Sequence, residues 1–252
     1  MTLIVRRLAT FAIFGLVWAL AVHFGNVSPN ILPQITDVAL ATVELLGRDT
    51  FYIAVATTVR DAAIGLAIAS VLGVSAGVAI GAMPALERST RLLIDFGRSF
   101  PQIALLPIFL LILGASSQMK VTLIAIGCFF PILLQSIYGA RKMNSTLQDT
   151  VRAFRLPWRM RFFRVLLPSA SPFILTGFRI AVVVSILVSV AVEITSPVTG
   201  IGRELAEARD FYETDIAIAY AIYAGILGVL VNAAVDQLER RIVRWHLSDK
   251  EA

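Results

Sequence analysis

Side chains that commonly perform catalysis or bind metal ions are scarce in this sequence. It contains one cysteine, Cys128, and two histidines among 252 residues. A single cysteine excludes an intramolecular disulfide, and the two histidines are too far apart in sequence to form a metal-ligand motif. All three lysines lack the glycine frame of a nucleotide-binding phosphate loop. The sequence therefore predicts no catalytic residue, no metal site and no ATP hydrolysis in this chain.

Charged residues are also scarce. They make up 15% of the chain, against 58% hydrophobic residues and a mean hydropathy of +0.81. Soluble domains have about 25% charged and about 45–50% apolar residues, so this composition is typical of a membrane protein. No long polar linker or second domain interrupts the chain, which predicts a single transmembrane domain over residues 1–252.

Six apolar runs are predicted to span the membrane. They cover about residues 8–24, 53–83, 100–113, 121–138, 172–192 and 216–235. Each run is apolar on all sides, as expected for helices in lipid. Arg6 and Arg7 precede the first run, so a cleaved secretory signal is an alternative to a retained first helix. We expect a retained helix, because the apolar stretch is longer than that of most signals.

The basic residues are distributed unevenly between the two sides of this predicted bundle. With both termini in the cytoplasm, the inner segments carry 16 of the 22 lysines and arginines, Arg88, Arg91 and Arg98 among them. The outer segments carry four, namely Arg48, Lys120, Arg203 and Arg209. Such an excess marks the cytoplasmic side. It predicts cytoplasmic termini and explains the net charge of +5 without nucleic acid as a partner.

The inner loop from about residue 139 to 171 is too long for a simple connection, and loops of this length usually have a function. Leu147, Val151, Phe154 and Trp158 recur on one face of a predicted helix. Pro157 disfavours helical backbone at the preceding residue, so this helix should end there. Ser171-Pro172 is predicted to cap and open the fifth span.

Three interpretations of this loop remain open from the residues alone. It could be an interfacial helix lying on the membrane, a lipid head-group site, or a helix that docks in a groove of a cytoplasmic partner.

The second half of the loop resembles the permeases of binding-protein-dependent ABC importers. Residues 162–168, Phe-Phe-Arg-Val-Leu-Leu-Pro, and residues 175–179, Leu-Thr-Gly-Phe-Arg, carry the resemblance. The permeases' loop pattern is Glu-Ala-Ala, three residues, Gly, nine residues, then Ile-x-Leu-Pro. Its end matches here, whereas its beginning departs, with Arg155 at the glycine position. The resemblance implies that an ATP-binding cassette subunit docks on Asp149, Thr150, Val151, Phe154, Arg155, Leu156, Pro157, Val165, Leu167 and Pro168. Whether Arg155 requires a dedicated ATPase stays open.

Other segments are similar to the nitrate, sulfonate, taurine and bicarbonate branch of these permeases. They are residues 57–81 with their spaced glycines, 101–107, 129–134, Glu193 and 200–202. The resemblance covers about residues 54–245, the transport core, after a first helix and outer loop in residues 1–53. It implies a type I ABC importer permease fold, all-α with about six transmembrane helices and a cytoplasmic coupling helix.

The resemblance also suggests roles for single residues. The candidates for the translocation path are Arg179, Ser185, Ser189 and Glu193, and those for contact with a binding protein are Gly200, Gly202 and Arg203. A helix beginning near residue 200 would also offer backbone donors to an anion. Arg60 and Asp61 are predicted to form a structural ion pair, and the glycines of the second span to pack helices closely.

The implied function is the permease subunit of an ATP-driven importer for a small solute in the bacterial cytoplasmic membrane. ATP and Mg²⁺ would bind to partner subunits, a periplasmic or lipid-anchored protein would deliver the solute, and a second permease copy, identical or not, would complete the path. Branch resemblance favours an anion, although the branch also includes importers of neutral or cationic pyrimidine and thiamine precursors. An ion-coupled secondary transporter is the alternative, but only Asp61 offers an intramembrane acid for it.

The predicted orientation can be tested by thiol labelling in intact cells. In a Cys128→Ser background, the Asp149→Cys and Lys250→Cys variants should resist a membrane-impermeant reagent, and the Glu207→Cys variant should react. Labelling of Asp149→Cys from outside would reverse the topology.

Overall fold

The computed structural model describes residues 2–25, 28, 31–142, 153, 154 and 156–242, and within them every regular element is a helix. The helices are α1 (Thr2–Phe24), α2 (Ile35–Leu45), α3 (Asp49–Ala82), α4 (Pro84–Ser99), α5 (Leu106–Leu113), α6 (Ser117–Arg141), α7 (Trp158–Arg161), α8 (Leu167–Thr195), α9 (Ile201–Asp210) and α10 (Thr214–Ile242). A 3₁₀ turn, Gln102–Leu105, precedes α5, and a π-helical turn, Phe162–Leu166, joins α7 to α8. The predicted all-α class is confirmed.

Four helices in the described part of the chain are long and apolar enough to cross a membrane. They are Asp49–Ala82, Ser117–Arg141, Arg159–Thr195 and Thr214–Gln237, which contain the second, fourth, fifth and sixth predicted spans. A fifth is possible if α4 and α5, bent by 85°, form one broken span. The first predicted run lies in α1, where Gly15–Phe24 forms a shorter apolar helix. Within the described residues, the structure therefore shows four such spans, or five with the bent pair.

Helix α4 precedes the third predicted span, in a segment that the sequence pattern placed in a loop. Glu87 near the start of α4 pairs with Arg141 at the end of α6, at 2.6 Å. Ile94 then packs on Leu133 and Ile137, and Gly97 lies against the ring of Phe130. Helix α4 therefore runs alongside α6, starting from the end of α6 that contains Arg141. The polar face of α4 lowers the average hydropathy of this segment, so the sequence pattern predicted a loop here.

The predicted start of the fifth span is also wrong. The helix does not begin at Ser171-Pro172 but continues from Arg159 through the π turn to Thr195. Pro172 lies inside α8 and cannot donate a backbone hydrogen bond to the carbonyl of Pro168. The hydroxyl of Ser171 donates to that carbonyl instead, at 2.8 Å. The segment before the predicted span and the span itself therefore form one continuous helical rod, Arg159–Thr195.

Helices α3 and α6 pack closely because glycines of α3 face α6. A Cβ atom at Gly77 would lie 2.5 Å from the Cβ of Ser136 and 2.7 Å from the carbonyl oxygen of Leu133. Gly65 and Gly73 face the side chains of Ile124 and Ile132 in the same way. The apolar core between α3, α6 and α8 forms around this contact.

We expect Gly77→Ala to destabilise the protein, because the added methyl group overlaps the backbone and Ser136 of α6. Overpacking of this kind costs about 1–3 kcal/mol. The measurement is the thermal unfolding temperature of the detergent-purified permease. Gly228→Ala in α10 is the matched control, because no described residue outside its own helical turn lies within 4 Å of its added Cβ. Equal unfolding temperatures for the two variants would contradict this packing.

Candidate functional site: a buried charge cluster

Lys120, in the first turn of α6, is completely buried and lies between two carboxylates. Its Nζ atom is 2.7 Å from Oδ2 of Asp61 on α3 and 2.9 Å from Oε1 of Glu193 on α8. It also donates a hydrogen bond to the carbonyl oxygen of Thr199, at 3.2 Å. One cation therefore joins α3, α6 and α8 at the end of the bundle where α6 begins.

Glu193 accepts the largest number of hydrogen bonds in this cluster. The hydroxyl groups of Thr58 and Ser189 each donate to Oε1 at 2.9 Å, and the backbone N–H of Gly202 donates to Oε2 at 2.9 Å. The hydroxyl oxygen of Thr58 accepts in turn from the N–H of Ile201, at 3.0 Å. A buried carboxylate needs such partners to remain ionised. Glu193 thus attaches the start of α9 to the three spans.

Asp61 has two further partners at the edge of the cluster. Arg60 binds Oδ1 through Nε and Nη2, both at 2.9 Å, and the hydroxyl of Ser117 donates to the same oxygen at 2.8 Å. The predicted Arg60–Asp61 ion pair is confirmed. The side chain of Arg60 is 59% exposed, however, so the buried partner of Asp61 is Lys120.

The glycines at the start of α9 allow its close approach to Glu193. Both Gly200 and Gly202 are buried, and a Cβ atom at Gly200 would overlap the Glu193 carboxylate. Of the backbone donors predicted here for an anion, the N–H of Gly202 binds the chain's own carboxylate and that of Ile201 binds the Thr58 hydroxyl. The positive end of the helix dipole stabilises that charge.

The residues predicted for the translocation path do not lie together. Ser189 and Glu193 belong to the buried cluster, whereas the hydroxyl of Ser185, also buried, donates to the carbonyl oxygen of Val182. Arg179 is half-exposed and pairs with Asp236 of α10 at 2.7 Å. A common role for the four in the path stays a prediction.

Helix α9 presents charged residues on its accessible side. Arg203, the third residue predicted to contact a binding protein, is partly exposed and pairs with Glu207. Burial raises the pKa of Glu204 above its ordinary value, and the Glu207 carboxylate raises it further. The hydroxyl of Tyr220 donates to Glu204 at 3.4 Å and links α9 to α10.

The predicted docking segment is described in part. Asp149, Thr150, Val151 and Arg155 lie outside the described residues. Phe154 is 74% exposed, and Leu156 and Pro157 form the irregular stretch just before α7. Val165 lies in the π turn, and Leu167 and Pro168 begin α8. Between them, Leu166 is buried against Val78 of α3 and Ala140 of α6.

Lys120 and Thr58 were missed by the sequence-based prediction, which counted Lys120 as an outer-loop charge. The available signal was Ser116, whose side chain accepts a hydrogen bond from the N–H of Met119 and caps α6. A serine cap there places Lys120 inside the helix. A lysine near a helix N-terminus opposes the helix dipole, so its position is explained only by the carboxylates around it.

Lys120→Met should destabilise the protein strongly, because two buried carboxylates lose the cation between them. Breaking a buried ion pair costs about 3–5 kcal/mol. Arg60→Gln is the control, since an exposed pair contributes only about 0–1 kcal/mol. Thermal unfolding in detergent measures both. If Lys120→Met unfolds no earlier than Arg60→Gln, the cluster does not stabilise this end of the bundle.

The chain matches the inner membrane component of binding-protein-dependent transport systems over residues 69–244. It is 32% identical over 230 residues to SsuC of Escherichia coli (strain K12), a permease assigned to aliphatic sulfonate transport, covering 91% of this chain and 88% of that protein. It is also 32% identical over 201 residues to the bicarbonate transport permease CmpB of Synechococcus elongatus, covering 79% of this chain and 72% of that one.

Among solved structures, the fold is similar to a chain of the MetNI methionine ABC transporter. The TM-score is 0.69 at 19% identity, over 77% of this chain and 96% of that chain. The predicted type I importer permease fold is thereby confirmed. The chain belongs to the family of binding-protein-dependent transport permeases, in the branch of the sulfonate, taurine, nitrate and bicarbonate importers, and not to the ion-coupled secondary transporters.

Proposed function

We propose that this chain forms the membrane path of an importer for a small anion, such as a sulfonate or bicarbonate. Its similarity to SsuC and CmpB supports an anionic substrate, because aliphatic sulfonates and bicarbonate are anions. ATP-binding subunits would bind ATP and Mg²⁺ and dock on residues 149–168, and a binding protein would deliver the anion to the outer face. Both termini would lie in the cytoplasm of a multi-pass inner membrane protein.

The observation that carries this proposal is the continuity between the docking segment and the membrane span. Residues Arg159–Thr195 form one helical rod that enters the bundle from the inner side. Phe162 and Leu166 fix the rod's inner part against Val78 and Ala140 of two other spans. A push on this segment would therefore tilt three spans together, as an ATP-driven permease requires.

Exposed apolar side chains on the segment favour a protein partner. Phe154 and Phe163 are largely exposed, and Phe163 lines a shallow groove of about 470 Å³ with Pro157 and Met160. Arg159 and Arg164 border the same groove. Aromatic residues and arginine are enriched at the centres of protein interfaces. Lipid docking remains the competing interpretation, and the substitutions below distinguish the two.

The contact with a binding protein would use the exposed side of α9 and the turn that follows it. Gly200 and Gly202 are buried and serve the cluster, which leaves Arg203 and the turn as accessible surface. Phe211 and Tyr212 of this turn are both exposed, and Tyr212 has a positive φ of 63°. Exposed aromatic residues and unusual backbone conformations are both common at functional surfaces, so this turn would be a contact point.

The docking proposal predicts that Phe154→Asp separates the permease from its ATPase. A charge placed in an apolar interface costs several kcal/mol, enough to lower affinity by orders of magnitude. The ATP-binding subunit should no longer co-purify, and binding-protein-stimulated ATP hydrolysis should be lost. Phe211→Asp is the matched control: this outer phenylalanine is 75% exposed, and its substitution should leave co-purification intact.

The lipid interpretation predicts a different pattern. Phe154→Asp would then reduce the amount of permease in the membrane without a selective loss of the ATPase. Retention of both the ATPase and coupled hydrolysis in the Phe154→Asp variant would contradict the docking proposal.

A further inference from the structure

We propose that Arg98 and Gln102, at the bend between α4 and α5, contact the anion about halfway across the membrane. This inference rests on the proposed function and names the site within the path. It is carried by three observations, namely the depth of Arg98, an unbalanced charge on α4, and a polar cavity beside the bend.

The depth of Arg98 follows from the contacts of the broken span. Glu87 lies at the inner end of α6, where it pairs with Arg141. Helix α4 rises ~1.5 Å per residue, so Arg98 lies roughly 16 Å further into the bundle. The end of α5 reaches the opposite end of α6, because Ser116 bonds the carbonyl of Leu113 at 3.2 Å. With a hydrocarbon layer of about 30 Å, Arg98 lies near its middle.

The charges on α4 form a stripe with a positive excess around Arg98. Glu87, Arg91, Asp95 and Arg98 follow each other at intervals of four, four and three residues, which places them along one side of the helix. Glu87 is paired with Arg141, so Asp95 is the acidic residue of the stripe that is left to pair with Arg91 and Arg98. Its carboxylate is 3.0 Å from Nε of Arg98 and 4.0 Å from Nε of Arg91. Asp95 is thus closer to Arg98 than to Arg91, and the three residues together carry a net charge of +1, which favours an anion beside them.

A cavity of about 280 Å³ opens beside this part of the stripe. Its lining consists of Arg98, Gln102, Gly127, Phe130, Pro131, Leu134 and Val184. Arg98 supplies charge and Gln102 an amide donor, which suits the oxygens of a sulfonate, nitrate or bicarbonate. Pro131 also leaves the carbonyl of Gly127 without its usual helical donor, so water in the cavity would satisfy that group.

Lipid is an unfavourable environment for this stripe. In the single chain, the side chains of Arg98 and Asp95 are 51% and 48% exposed. Ionisable groups at this depth face a polar path or a partner, because hydrocarbon cannot solvate them. The exposed leucines and phenylalanine of α4, Leu92, Leu93 and Phe96, lie on another side of the helix and suit lipid or a second permease. The stripe therefore faces water.

The first experiment tests whether the stripe faces water. In a Cys128→Ser background, single Arg98→Cys and Leu92→Cys variants of the assembled transporter are treated with the anionic thiol reagent 2-sulfonatoethyl methanethiosulfonate. We expect Arg98→Cys to react rapidly and Leu92→Cys, although 82% exposed in the chain, to react slowly or not at all. An unreactive Arg98→Cys, buried in lipid or under a second copy, would overturn the inference.

The second experiment tests anion contact in the complete transporter reconstituted in liposomes. Uptake of labelled ethanesulfonate, nitrate and bicarbonate is measured with the binding protein and ATP supplied. Arg98→Gln should lower uptake of the transported anion ~10-fold or more, the effect of losing one charge-assisted contact. Arg98→Lys should restore part of it. Binding-protein-stimulated ATP hydrolysis should persist, because the docking surfaces are unchanged.

Arg88→Gln is the matched control, because it removes the same charge from α4 roughly 15 Å nearer the inner end, outside the cavity. Equal uptake by wild type, Arg98→Gln and Arg88→Gln would overturn the inference and leave the proposed function intact. If the wild-type complex imports none of the three anions, the proposed function itself fails. The thiol reaction does not depend on the solute, so it still decides whether Arg98 lines the path.

Discussion

The ammonium group of Lys120, held between the carboxylates of Asp61 and Glu193, organises the end of this bundle where α6 begins. Charges removed from water are costly unless each has a close partner of opposite sign and further hydrogen bonds. Here the partners come from three spans, and Glu193 adds the backbone of α9. These short, directional contacts fix the relative heights of the helices. The close approach of Gly200 and the caps and hydroxyls around the cluster all serve this arrangement.

At the end of the bundle where α6 ends, apolar packing joins the helices. Small residues of α3 lie against α6, and Leu166 and Phe162 fill the space between α3, α6 and the rod that contains α8. Apolar packing is non-directional, and one arrangement can replace another at a modest cost. Glu87 and Arg141 also pair at this end, but the Arg141 side chain is 58% exposed, whereas Lys120, Asp61 and Glu193 are fully buried at the other end.

The bend between α4 and α5 separates two kinds of helix surface. By bending 85° between α4 and α5, the chain keeps an apolar second half and a first half with one polar side. Arg98 and Asp95 neutralise each other in part, which lowers the cost of keeping both in the bundle. The bend interrupts the helical hydrogen bonds between α4 and α5.

The sequence alone determined the membrane class, four of the spans and the family. Long apolar runs identify a span whatever surrounds it, and the residues 162–168 lie together in the chain, so both signals are local. Only the tertiary structure decided where the charges lie. Hydropathy averages over a window, so it placed the amphipathic α4 in a loop and Lys120 outside the bundle. Two partners of Glu193, Lys120 and Thr58, stand 73 and 135 residues away in sequence, and no local pattern connects them to it. Their contact exists because a buried charge must find an opposite charge, and only the packed helices determine which one is within reach.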